Sequence, residues 1–301
     1  MSAFLHTTRG LAAFHLVAVA IVGIWGLTFI STKLLIGQGM SPHEIFLLRF
    51  LMAYAGIWFL APRRLWADSW RDELWLLLGG VTGGSFYFLT ENTALEYTLA
   101  TNVAFLVCTT PLLTTLLSLA LYKNVKATRG LIGGSLVALA GVALVVCNGH
   151  FVLRLSPVGD LLSLLASLSW AVYSLVMRRM ADRYDVTFIT RKIFFYGVLT
   201  ILPVFLFRPW QFEVARLLDT AILCHLLFLG VLASLVCFAV WNVVLKRLGT
   251  VPASNYIYLN PVFTLVGSAM VLDERLTPMA WAGVVLILGG VYGVGRRKGA
   301  Y

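Results

Sequence analysis

Glu91 and Asn92 stand in FYFLTENTALEYTLATN (residues 86–102), with no lysine or arginine within helical reach before Tyr97. An acid in so apolar a run can bind a proton or the cationic group of a small molecule, and the neighbouring amide can exchange hydrogen bonds between helices. The plainer alternative is a structural acid, hydrogen-bonded or snorkelling to a surface, beside an amide that glues helices. Asn242 follows Trp241 as Asn92 follows Glu91. Pro111 and Pro261 interrupt two further apolar runs, flanked by Thr109, Thr110 and Thr114 in the first and by Tyr256, Tyr258 and Asn260 in the second. Other chemistries lack their residues. His15, His43, His150 and His225 share no metal-ligand spacing, and no HExxH, GxSxG elbow or paired aspartate motif occurs. Cys108, Cys147, Cys224 and Cys237 sit in apolar runs without CxxC spacing and read as small buried hydrophobes. No P-loop is present, so neither ATP nor another cofactor nor a metal is expected.

What must hold these residues is lipid-embedded helix. The 301 residues are 60% hydrophobic and 12% charged, with a mean hydropathy of +0.89. A soluble domain carries about 25% charged residues, so the chain lacks the polar skin to stay in water. The net charge of +10 comes from short basic clusters between apolar runs, the pattern of cytoplasmic loops rather than of a nucleic-acid face. The first run is too long for a signal-peptide core and is expected to remain as a membrane helix. A bilayer core of about 30 Å needs about 20 helical residues. Ten such runs are predicted, at 12–36, 42–60, 74–95, 99–122, 129–148, 156–179, 186–207, 219–245, 250–272 and 278–295. One set of ends gathers Arg63, Arg64, Lys123, Lys126, Arg183, Lys246 and Arg296, among others. The opposite set holds Arg154, Arg208, Arg216 and Arg275. Both termini are therefore expected in the cytoplasm.

The chain also repeats itself. GIWGLTFISTKLL (23–35) resembles LSWAVYSLVMRRM (168–180), aligning Trp25 with Trp170. TTPLLTTLL (109–117) resembles LNPVFTLVG (259–267), aligning Pro111 with Pro261. A unit of five spans is odd, so its second copy must enter the bilayer inverted, and the charges of equivalent loops change accordingly. The fold class expected is an all-α membrane protein of ten transmembrane helices in two inverted five-helix repeats, residues 1–148 and 149–301. Inverted repeats place a binding site between the halves near the midplane, at paired helix breaks. A proline frees a carbonyl, tolerable at that depth only against protein or a wet cavity. A packed kink is the alternative.

WGLTFISTKLL, SWAVYSLVMRR, WNVVLKRLGTVPASNYIYLNPVFTLVGSAMVLDERLT and WAGVVLILGGVYGV resemble the EamA type of drug/metabolite transporter across nearly the whole chain. The resemblance implies a multi-pass carrier of the bacterial inner membrane, working without ATP on small organic cargo, commonly exported. It implies a cavity lined mainly by helices 1, 3, 4, 6, 8 and 9. Trp25, Tyr87, Trp170, Tyr173, Trp241 and Tyr256 then become candidate cavity walls, or else interfacial packing. Thr110, Pro111, Asn260 and Pro261 lie at the breaks, Asn92 and Asn242 at alternate gates, and Glu91 is the candidate proton or cation site. Lys33 is expected to snorkel and Arg49 to pair with Glu44 structurally. GGVTGG (79–84), GLIGG (130–134) and GGVYG (289–293) carry the G-x-x-x-G spacing of closely packed helices. The leading expectation is a secondary exporter of amino acids or related amphipathic metabolites, with a small molecule and the bilayer as partners and no nucleic acid. A monomer is the working expectation for its assembly. Import, or an intramembrane enzyme, are the alternatives. Reporter tags after residues 124 and 274 are expected on opposite sides of the membrane; both in one compartment would end the inverted-repeat reading.

Overall fold

In the computed structural model of the protein, residues 8–59, 65–122, 128–147, 156–272 and 277–295 are described, and helix dominates all of them. The predicted sites at Arg63, Arg64, Lys123, Lys126, His150, Arg154, Arg275 and Arg296, and the tag positions 124 and 274, lie outside the described residues.

The helical segments join into ten rods: α1 (Thr8–Gly37), α2 (Pro42–Trp58), α3 (70–97), α4 (100–121), α5 (Arg129–Cys147), α6 (Pro157–Ala181), α7 (Val186–Phe207), α8 (Thr220–Leu248), α9 (250–272) and α10 (Pro278–Gly295). Among the described residues, five helices are long and apolar enough to cross a membrane by length and composition: Ala13–Gly37, Asn102–Leu121, Pro157–Ala181, Val186–Phe207 and Thr220–Leu248. The starts follow local chemistry. Ser69 accepts from Asp72 N at 3.1 Å to open α3, and Asp219 accepts from Ala221 N at 3.0 Å to open α8. Pro42 and Pro157 occupy the first turns of α2 and α6, where a missing N–H costs nothing. Gly249, with φ +86, supplies the left-handed turn that joins α8 to α9.

Five of the described rods are irregular; the plainest case is α7, interrupted at Leu202 and Pro203 before helix resumes at Val204. A π-helical stretch widens α3 at Val81–Ser85, and another widens α8 at Phe228–Val236. α4 is interrupted at Cys108 and Thr109 before helix resumes at Thr110, and α9 passes through a 3-10 stretch at Asn255–Leu259 before resuming at Asn260. Pro111 and Pro261 each lie second in a resumed helix, the position proline tolerates. The proline breaks were visible in the sequence; the π stretches were not.

The centre holds an aromatic core in which Phe50 meets Phe46 at 4.3 Å and Phe194 at 5.2 Å between ring centroids, with Phe238 against Phe194 at 5.4 Å. At the margin, α5 and α10 pack backbone to backbone. A Cβ on Gly290 would come within 2.5 Å of Ala138 N and Gly134 O, and one on Gly141 within 2.6 Å of Gly283 O. GGVTGG serves a second contact, since a Cβ on Gly84 would come within 3.2 Å of Gly197 Cα on α7. Gly290→Ala is expected to lower stability by about 1–3 kcal/mol through overpacking. Gly289→Ala, which meets nothing within 4 Å, is the neutral control in thermal unfolding of the detergent-solubilised protein.

Candidate functional site

Broken turns create the site. A widened or interrupted turn releases a carbonyl from the regular ladder, and a buried unpaired carbonyl costs about 1–3 kcal/mol. In α3, α4, α8 and α9 a side chain from the other half of the chain donates to a carbonyl, and Leu106 O and Ile257 O accept from Thr109 N and Asn260 N as well. Ser169 Oγ donates to Thr82 O of α3 at 2.7 Å, and Ser167 Oγ donates to Leu106 O of α4 at 2.9 Å. Trp25 Nε1 donates to Ala233 O of α8 at 3.0 Å, and Cys108 Sγ donates to Ile257 O of α9 at 3.3 Å. These bonds draw α1, α3, α4, α6, α8 and α9 around a common centre.

A narrow cavity of about 30 Å³ occupies that centre. Trp25, Tyr87, Glu91, Thr110, Trp170 and Asn260 line it, joined by Thr28, Phe29, Arg49, Phe88, Val107 and Ile257. The aromatic walls are in contact: Trp25 lies edge-on to Trp170 with centroids 5.3 Å apart, and Tyr87 lies 4.8 Å from Trp170. Glu91, buried six residues before the end of α3, accepts from Tyr87 OH at 2.6 Å. That is about 9 Å along the helix, deeper than the sequence boundary implied. Arg49 is buried, donates from Nε to Ser234 Oγ at 2.9 Å and carries its guanidinium 4.2 Å from the Phe88 centroid. Among the described ion pairs none joins Glu91 to Arg49, yet the two opposite charges line one chamber and attract one another across it.

Seven candidates lie outside this lining. Asn242 accepts from Tyr173 OH and donates to Thr190 Oγ1 at 2.8 Å, while Asn92 Nδ2 donates to Pro42 O at 3.3 Å. Each asparagine thus ties α3 or α8 to the preceding-but-connected α2 or α7 of its own repeat. Tyr256 OH lies 2.5 Å from His15 Nδ1, and Trp241 is fully buried behind Trp25, 5.1 Å away. Pro111 and Pro261 shape the breaks without lining the chamber.

One expectation is corrected. Arg49 does not pair with Glu44. Five residues apart on a helix, the two side chains point about 140° apart. Glu44 instead accepts from Ser41 N at 2.8 Å, Gln211 N at 2.6 Å and Phe212 N at 3.0 Å, as befits a carboxylate in a first turn. Lys33 is half-buried, and its Nζ reaches the carbonyl end of α3, donating to Leu95 O and, at 3.1 Å, to Thr98 O. The depth of Arg49 within its span was the signal available in the sequence, but depth alone does not say which way the side chain points.

The sequence pattern of the EamA-like transporter family matches residues 12–147 and again residues 157–296. The chain belongs to this family. An uncharacterized transporter of Archaeoglobus fulgidus is 28% identical over 284 residues, covering 92% of this chain and 96% of the relative. A probable amino-acid metabolite efflux pump of Escherichia coli is 27% identical over 286 residues, covering 91% and 92%. A solved crystal structure, 20% identical, superposes with a TM-score of 0.70 over 95% of this chain and 96% of that one, which shows a shared fold.

In this EamA-like transporter, a multi-pass membrane protein, the cross-half bonds separate two kinds of tryptophan. Trp25→Phe removes the donor to Ala233 O, and a loss of about 1–3 kcal/mol is expected. Trp241→Phe removes an Nε1 that has no partner and should cost distinctly less, both read by unfolding in the same detergent.

Proposed function

We propose that this chain is a secondary transporter of the bacterial inner membrane that exports small organic metabolites, amino acids or related amphipathic compounds, by alternating access. On this reading all ten rods cross the bilayer, the halves 1–148 and 149–301 are mutually inverted, and both termini are cytoplasmic. The observation that carries it is the single chamber in which Glu91 and Arg49 are buried beside Trp25, Tyr87 and Trp170 without an ion pair between them. A buried charge is costly until paired. The planar guanidinium of Arg49 suits a carboxylate, and Glu91 suits an ammonium group or a proton. The rings supply an apolar wall for a side chain. A zwitterion with an apolar substituent satisfies all three at once, and the amino-acid compound in the printed name of the Escherichia coli relative supports the same class here. Asn92 and Asn242 act as alternate fastenings of the outer and inner ends, while Tyr173, Trp241, Tyr256, Pro111 and Pro261 hold the walls in place from behind.

Protein reconstituted in liposomes and loaded with radiolabelled phenylalanine or leucine is expected to give saturable, exchangeable flux. Arg49→Gln should raise the half-saturation concentration for the amino acid by about tenfold, the loss of one charge-assisted pairing, and leave that for the corresponding amide unchanged. Glu91→Gln should abolish the pH dependence of flux; a variant that retains both flux and its pH profile removes Glu91 from the coupling. Lipid turnover without solute movement would identify an enzyme instead.

A further inference from the structure

Several threonines inside this protein, buried or half-buried, fold back on their own helix. Thr82, Thr90, Thr190, Thr200 and Thr264 each donate to the carbonyl four residues before, at 2.6–2.9 Å. Those of α4 behave differently. Thr110, Thr114, Thr115 and Ser118 are all buried, and none of their hydroxyls has a hydrogen-bond partner. The facing elements show the same orphaned groups: Thr250 Oγ1, Asn255 Oδ1 and Asn260 Oδ1 on α9. Tyr258 of α9 and Ser135 of α5 are buried within reach of one another.

Their order is not random. Thr110 and Asn260 line the chamber. Thr114 and Ser118 follow Thr110 at four-residue spacing on one face of α4, and Thr250 lies at the far end of α9 against α4. Thr110 to Ser118 spans about 12 Å, close to half of a hydrocarbon core of about 30 Å. The column therefore runs from the chamber to the end of the molecule bearing Lys246 and Arg247. Left permanently dry, each of these groups would cost free energy with nothing returned.

We propose that the α4–α5–α9 interface is the inner half of the cargo path: a hydroxyl-lined passage, shut in this structure, that opens between the chamber and the basic end when α4 and α9 part. The hydroxyls are unpaired here because their partners are water and passing cargo in the opposite conformation. This rests on the carrier reading above.

The test is cysteine accessibility in membrane vesicles of both orientations. The parent carries Cys108→Ser with Cys147, Cys224 and Cys237 replaced by alanine, and the probe is a charged, membrane-impermeant methanethiosulfonate. Thr114→Cys and Ser118→Cys are expected to react from the same side as a reporter cysteine at residue 124. Leu116→Cys, on the same helix but 60% exposed toward lipid, should not react. The reporter at 124 tests the topology by itself, so its failure is read apart from that of the passage. Absence of labelling at both positions, or labelling only from the side opposite the reporter, overturns the proposal. A second arm uses Thr114→Val with Ser118→Ala. If the hydroxyls line a path, the double variant should be more heat-stable yet turn over about fivefold more slowly, the effect of about 1 kcal/mol favouring the shut state. Greater stability with undiminished phenylalanine flux would make the column mere packing and sink the proposal.

Discussion

Everything at the centre of this molecule depends on one constraint: a backbone carbonyl released inside a lipid-embedded helix must find a donor. Ser169, Ser167, Trp25 and Cys108 donate to carbonyls of α3, α4, α8 and α9 from across the boundary between the halves, at Leu106 O and Ile257 O in addition to a backbone N–H. The irregular turns are therefore the stitching of the bundle. They act beside other polar bonds between the halves, such as those of Glu44 to Gln211 N and Phe212 N and of Arg49 to Ser234. The chamber is the space left where these stitched turns meet.

The same constraint explains why the chamber holds charge. Arg49 is anchored to Ser234, which belongs to the widened stretch of α8, and Glu91 is steadied by Tyr87 one turn away on α3. Each charge is thus positioned by an element whose own irregularity is supported from the opposite half. Positioning of the charges and association of the repeats are one structural problem with one solution.

Much of this was legible in the chain. Apolar runs separated by basic loops mark the helices because burial in lipid demands them, and the observed rods begin and end within a few residues of those runs. Pro111 and Pro261 announced their breaks because proline removes a donor wherever it stands. The likeness of Trp25 to Trp170 pointed to rings that do meet in the chamber. The π stretches stayed hidden, because one extra residue per turn alters no composition and the glycines of GGVTGG read equally well as close-packing sites. Arg49 was visible as a deep cation, but its partner depends on which way the side chain points around α2. Seven candidates missed the lining for a similar reason: sequence gives depth along a helix more readily than direction around it.

The seam between α5 and α10 has a mechanical corollary. There Gly290 and Gly141 bring main chain against main chain, with no room for a side chain. A joint of that kind resists sliding and separation while tolerating small rotation about the line of contact. A side chain at either glycine would force the two helices apart, so this seam sets how closely the last helix of one repeat can approach that of the other.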